Sequence, residues 1–100
     1  MTQLKTKLTE LVGIEHPVVQ TGMGWVAGAR LVAATSNAGG LGILASATMT
    51  LAELQTAVTK VKAATDKPFG INMRADAGDA GARCDLLIRE GVKVASFALA

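Results

Sequence analysis

A chain of 100 residues, half of them apolar and 18% charged, allows one domain at most and carries enough apolar surface for a buried core, which excludes a disordered composition. The net charge of +2 is spread over single residues (Lys5, Lys7, Arg30, Lys60, Lys62, Lys67, Arg74, Arg83, Arg89, Lys93), leaving no basic patch for nucleic acid. One cysteine, Cys84, excludes an internal disulfide and a cysteine-based zinc site, and no apolar run approaches the roughly 18 residues that span a bilayer.

At the N-terminus, Thr2, Gln3, Lys5, Thr6 and Lys7 interrupt any apolar core of signal-peptide type, so the expected compartment is the cytoplasm. Leu4, Leu8 and Leu11 then predict a short helix over 4–12 that stops at Gly13. A continuous apolar run over 17–20 predicts the first strand. A small-residue helix follows over 29–36, stopped by Asn37-Ala38-Gly39-Gly40. The second strand is expected over 42–45.

The clearest helix spans 50–65. Thr50 and Glu53 form a capping box, and Leu51, Leu54, Val58 and Val61 share one face. Asp66-Lys67-Pro68 ends it. A third strand is expected over 69–72, then a helix over 79–90 that buries Ala82 and Leu86 with help from Leu87 and closes at Gly91. The fourth strand is expected over 94–99. These runs are nearly continuously apolar rather than alternating, as in parallel strands covered on both faces.

The order is helix, then β-α-β-α-β-α-β, with strand starts about 25 residues apart, close to the unit of α/β folds. A doubly wound sheet and a (β/α)8 barrel both fit that rhythm. The chain stops at Ala98-Leu99-Ala100 with no helix after its fourth strand, which favours the N-terminal half, about four β/α units, of a (β/α)8 TIM barrel. Residues 1–100 are thus expected to be the N-terminal part of a single domain.

Both folds bind ligands at the carboxyl ends of their strands. Gly22, Gly24 and Gly28 fall on that side. Gly39, Gly40 and Gly42 precede the second strand and read as a helix stop and tight turn. The run from Thr21 to Gly28 approximates a dinucleotide fingerprint, but that motif needs an acidic residue at the end of the second strand. Leu44-Ala45-Ser46-Ala47-Thr48 holds none, and Glu53 is committed to the capping box, so a nicotinamide-binding fold is weakly supported. A glycine turn can instead approach a flat ring, with Met23 over part of its face, or be a simple tight turn. Asn72, an amide at the end of an apolar strand, is either a cofactor ligand or a turn former. His16 sits at the end away from the chemistry, and Cys84 is a packing residue. Asp76 and Asp79 are solvated loop residues by default, and Arg74 is a candidate for an anionic substrate group.

Three stretches carry a family resemblance: Pro17-Val18-Val19-Gln20-Thr21-Gly22-Met23, Ser36-Asn37-Ala38-Gly39-Gly40-Leu41-Gly42 and Asp66-Lys67-Pro68-Phe69-Gly70-Ile71-Asn72. In order and spacing they resemble the nitronate monooxygenase (2-nitropropane dioxygenase) family of FMN-dependent TIM-barrel oxidoreductases, which includes flavin-dependent enoyl-acyl-carrier-protein reductases. The resemblance implies FMN at the strand C-termini, lined by Gly22, Met23 and Gly24, with Ala45 and Ser46 nearby and Asn72 hydrogen-bonded to it. It places the catalytic His and phosphate-binding loops beyond residue 100, so these residues alone should be inactive.

The implied reaction is nitronate oxidation with O2. The alternatives are an enoyl reductase using NAD(P)H as donor, or a hydroxyacyl-CoA dehydrogenase of steroid-ring breakdown with NAD as acceptor. Gly22-Met23-Gly24-Trp25-Val26-Ala27 resembles the reductase branch. The stretches 45–50 and 88–97 resemble actinobacterial members. The expected partner is a small molecule, nitronate or acyl thioester, with self-association into a homo-oligomer left open. A reading of another class is a non-catalytic half-barrel acting by association through its open edges.

Overall fold

In the computed structural model, which describes residues 4–98, the elements are α1 (Lys7–Val12), β1 (Val19–Gln20), α2 (Ala29–Asn37), β2 (Leu41–Ala45), α3 (Leu51–Ala64), β3 (Phe69–Arg74), α4 (Ala80–Glu90) and β4 (Val94–Ala98). Thr2 and Gln3 of the polar start, and Leu99 of the expected fourth strand, lie outside the described residues.

Local chemistry sets most element ends. The Thr50–Glu53 capping box forms as expected: the Glu53 N–H donates to Thr50 Oγ1 (3.1 Å) and the Thr50 N–H to Glu53 Oε1 (2.8 Å). A second box, Thr6 with Thr9, starts α1 at Lys7 rather than at residue 4. That start turns the expected apolar stripe outward. Leu4, Leu8 and Leu11 are exposed, while Thr9 and Val12 are buried. β1 is shorter than the run over 17–20, because Pro17 has no N–H and the Val18 N–H turns back onto the His16 carbonyl (2.8 Å). In α4 the expected burial of Leu86 and Leu87 holds, but Ala82 is exposed and Arg83 is buried instead.

The four strands are parallel and lie in chain order, β1-β2-β3-β4. Register divides the sheet into two faces, because paired residues of parallel strands point the same way. Gly42, Leu44, Phe69, Ile71 and Met73 share one face. Leu44, Phe69, Ile71 and Met73 meet Val32 of α2, Leu54, Val58 and Val61 of α3, and Leu86 and Leu87 of α4 in one core. Each large side chain buried there contributes roughly 1.5–3 kcal/mol.

On the opposite face, Leu41 and Ile43 meet Val12 and Ile14, with Val94 of β4 packed against them, so α1 and the residues just after it seal that face at its N-terminal end. Helices α2, α3 and α4 thus all cover one side. A doubly wound sheet would have helices on both, so this is a stretch of barrel wall. β2, with all five residues buried, needs the continuous apolar run Leu-Gly-Ile-Leu-Ala. At the sheet edges Val18 and Val19 before and in β1, and Phe97 in β4, remain partly or largely exposed.

The glycines read as preceding the second strand are structural, although Gly42 lies within β2 itself. Gly39 has φ +102°, its carbonyl accepts from the Glu15 and His16 N–H groups (both 2.9 Å), and a Cβ on Gly42 would lie 2.9 Å from the Val32 Cα. Gly42→Ala in the full-length protein should therefore push α2 off the sheet and lower stability by about 1–3 kcal/mol. Gly81→Ala, in open space within α4, should be neutral or add roughly 0.4–1 kcal/mol. Chemical denaturation of both variants checks the pair.

Candidate functional site

The parallel register puts Ala45, Asn72 and Ser96 in one row on the face away from α2–α4, at the C-terminal end of the strands. The Asn72 Nδ2 donates to Ser96 Oγ (2.9 Å) and Ser96 O (3.4 Å), which fixes the amide plane. Among the described residues no donor reaches Asn72 Oδ1, which leaves an acceptor at the mouth.

The turn after β1 lies directly on this amide. A Cβ at Gly22 would stand 2.7 Å from Asn72 Cβ and 3.3 Å from its Cγ. Position 22 therefore requires glycine because Asn72 itself fills the neighbouring space. The turn then closes on Met23, whose carbonyl accepts from the Val26 (3.0 Å) and Ala27 (2.8 Å) N–H groups. The Ala27 carbonyl in turn accepts from the Ala45 N–H (3.1 Å), tying the turn to β2. Gly24 faces Thr48 of the next loop, 3.2 Å from its would-be Cβ to Thr48 Cγ2. Met23 is half-exposed, and Trp25, with φ +68°, projects into solvent. The chain thus brings together the two features whose proximity the sequence reading most needs, Gly22-Met23 and Asn72.

Ser46 is fully buried and spends its polar groups inside the protein. Its Oγ (2.8 Å) and N–H (3.0 Å) both donate to the Asn72 carbonyl, and its own carbonyl accepts from Arg83 Nη1 (2.6 Å). It holds Asn72 in place rather than presenting a free group to the mouth. Ala45 is buried beside Asn72 in the inward row.

Sequence reasoning missed three residues. Ser96 holds the Asn72 amide; its signal was the single polar position in an apolar strand. Gln20, at the end of β1, donates through Nε2 to the carbonyls of Thr21 and Ile43 (3.1 Å to Ile43), while its buried Oε1 has no partner among the described residues. Arg83 donates to the carbonyls of Ser46 and Met49 (2.6 Å each) and through Nε to Asp79 Oδ1 (3.0 Å). The signal for Arg83 was Asp79 four residues earlier on the same helix face.

Arg74 follows Asn72 by two residues on the same face, opposite Ala98, and is half-exposed. Both its Nε and Nη2 reach the Asp76 carboxylate at 2.9 Å, a bond that holds the Asp76 carboxyl below the usual range. His16 lies at the far end of the strands beside Gly39. Cys84 packs against Met73 on the helix-covered face, Sγ to Sδ 3.9 Å. Among the described residues no cluster suits a metal ion, and no helix is long and apolar enough to cross a membrane.

Comparison with known proteins extends this geometry. The family described as Nitronate monooxygenase matches residues 5–99. A (3aS,4S,5R,7aS)-5-hydroxy-7a-methyl-1-oxo-octahydro-1H-indene-4-carboxyl-CoA dehydrogenase of Mycobacterium tuberculosis is 81% identical over 98% of the chain. The enzyme of that name from Rhodococcus jostii is 75% identical over 100%. The chain spans 28% of the length of each. The structure of FabK from Thermotoga maritima superposes with a TM-score of 0.89 at 39% identity, covering 94% of this chain and 30% of that one. The four β/α units therefore correspond to the N-terminal part of a longer (β/α)8 barrel.

The Asp79 carboxyl is held below the usual range, first by its hydrogen bond to Arg83. The stability this bond contributes is present above the ordinary carboxyl pKa of about 4 and is lost as pH falls through the lowered value. Asp79→Asn should remove that part of the acid sensitivity of the full-length protein. Denaturation midpoints of the two proteins between pH 2 and 7 should converge at the acid end.

Proposed function

Since the chain belongs to the nitronate monooxygenase family, we propose that the full-length protein is an FMN-dependent oxidoreductase and that residues 1–100 form part of its single flavin-binding barrel domain. The observation that carries this reading is the contact of the Gly22 turn with Asn72, which makes one mouth from two loops. The residues present fit a planar ring with a polar edge. Asn72 Oδ1 is an open acceptor, Gln20 Oε1 a buried acceptor awaiting a donor, and Met23 an apolar cover.

In this reading the Gly22-Met23 backbone and Gly24 line the ring, Ala45 forms the wall beside them, and Asn72 meets a ring N–H. Ser46 acts through Asn72. Flavin, when bound, supplies the two-electron chemistry, and the protein supplies binding, orientation and exclusion of water. Asn72, immobilised by Ser96 and Ser46, offers its acceptor without reorganising.

The identity of 81% with a hydroxy-indene-carboxyl-CoA dehydrogenase favours a hydroxyacyl-CoA thioester as substrate, with NAD as acceptor. A second reading is nitronate oxidation with O2, which the family's description favours. A third reading, an enoyl thioester with NAD(P)H as donor, rests on the resemblance of Gly22-Met23-Gly24-Trp25-Val26-Ala27 to the reductase branch of the family.

The full-length protein should purify yellow and release FMN on denaturation. A colourless product that takes up no FMN would overturn the reading. Parallel steady-state assays with a hydroxyacyl-CoA, a nitronate and an enoyl thioester separate the substrates. Asn72→Ala should weaken FMN binding by about 1–3 kcal/mol, from loss of one acceptor and of the Ser96 contact. Flavin titration measures it, and unchanged affinity would remove Asn72 from the site.

A further inference from the structure

We propose that Arg83 is a positioning residue for the flavin mouth, setting the place of Asn72 through the loop that follows β2. The inference rests on the FMN reading above, and it concerns a residue on the opposite side of the sheet from the mouth.

Three observations carry it. Arg83 projects from α4 on the helix-covered side and is 7% exposed, an uncommon state for an arginine. Two arms of its planar fork end on backbone carbonyls of one loop, Ser46 and Met49, each at 2.6 Å. Its third nitrogen is held by Asp79, at 3.0 Å, so the fork cannot swing. The pairing with the partly exposed Asp79 is weak evidence for a stabilising role, because desolvating the guanidinium offsets much of the attraction. What the fork does supply is geometry: two carbonyls three residues apart are fixed relative to α4.

The consequence reaches the mouth by short steps. The Ser46 residue whose carbonyl Arg83 grips also donates twice, from Oγ and N–H, to the Asn72 carbonyl. The other side of Asn72 bears Gly22. A shift of the loop is therefore transmitted to Asn72 and to the turn that lies on it. Sites of this kind lose binding steeply when supporting contacts loosen by a fraction of an ångström.

The test uses the full-length holoprotein with Arg83→Lys, Ser46→Ala and the double variant. Lysine keeps the charge but reaches only one carbonyl. Ser46→Ala removes the Oγ bond, one of the two that Ser46 makes to the Asn72 carbonyl, and leaves every partner of Arg83 in place. Each single variant should raise the FMN dissociation constant roughly tenfold, the effect of losing one well-placed hydrogen bond. Each should also change the visible circular dichroism of the bound flavin, which a distant loss of stability does not move.

The double variant should be little worse than the poorer single one, since both act on Asn72 through Ser46. Wild-type affinity and an unchanged flavin spectrum in Arg83→Lys, or strictly additive effects, would overturn the proposal while leaving the FMN reading intact. If Arg83→Lys fails to fold, Ser46→Ala decides: unchanged affinity overturns the proposal. A wild-type protein that binds no FMN ends both readings together.

Discussion

A Cβ at position 22 would stand 2.7 Å from the Cβ of Asn72, a distance that ordinary side chains do not tolerate. Everything at the mouth follows from that approach. Gly22 begins the β1–α2 turn, while Asn72 belongs to β3, two strands along in the sheet order. For the two to touch, the turn must fold back across the end of β2. It does so because Met23 closes the turn on Val26 and Ala27, and Ala27 then bonds to Ala45. The site is a crossing of backbone rather than a display of reactive side chains, which suits a protein whose redox chemistry would come from a bound ring.

The sheet that holds this crossing is built asymmetrically. Its helix-covered face packs Leu, Val, Ile and Met from three helices and two strands into one core, whereas its other face is sealed at the bottom, by Val12 and Ile14 with Val94 beside them. Above that seal the inward row turns polar, with Asn72 and Ser96 and then Arg74. The gradient from apolar plug to polar mouth runs along the strands within a few residues, and parallel register alone aligns it across β2, β3 and β4. A single-residue slip would place Ile71 and Met73 where Asn72 and Arg74 now lie.

Arg83 links the two faces. A charged side chain among core positions of α4 would be costly without partners, and each of its contacting nitrogens has one. Two of those partners belong to the loop that carries Ser46, so the core side of the molecule is coupled to the mouth through main-chain carbonyls. Ser46 and Arg83 thus make sense together. Both are engaged within the protein, and both bear on Asn72, whose Oδ1 has no donor among the described residues.

Patterns of apolar residues, capping pairs and glycine stops were enough to order the elements, to assign helix α3 by its Thr50–Glu53 box, and to sort the glycines into a structural set before β2 and a mouth set after β1. These are short-range signals, carried by residues within one turn or one strand of each other, so they are legible in the order of residues. The sequence also places Asn72 near the carboxyl end of a strand, although β3 runs on to Arg74 rather than stopping at residue 72, and Gly22 just after one. Other features depended on contacts between segments far apart in the chain. The outward turn of Leu8 and Leu11 depended on how α1 meets Leu41 and Ile43, and the burial of Arg83 in place of Ala82 on the carbonyls of residues 46 and 49. The engagement of Ser46, the hold of Ser96 on Asn72 and the contact of Gly22 with Asn72 span 24 to 50 positions. None of these is legible in local patterns, because a hydrogen bond or a close approach between strands is set by register, and register is a property of the assembled sheet.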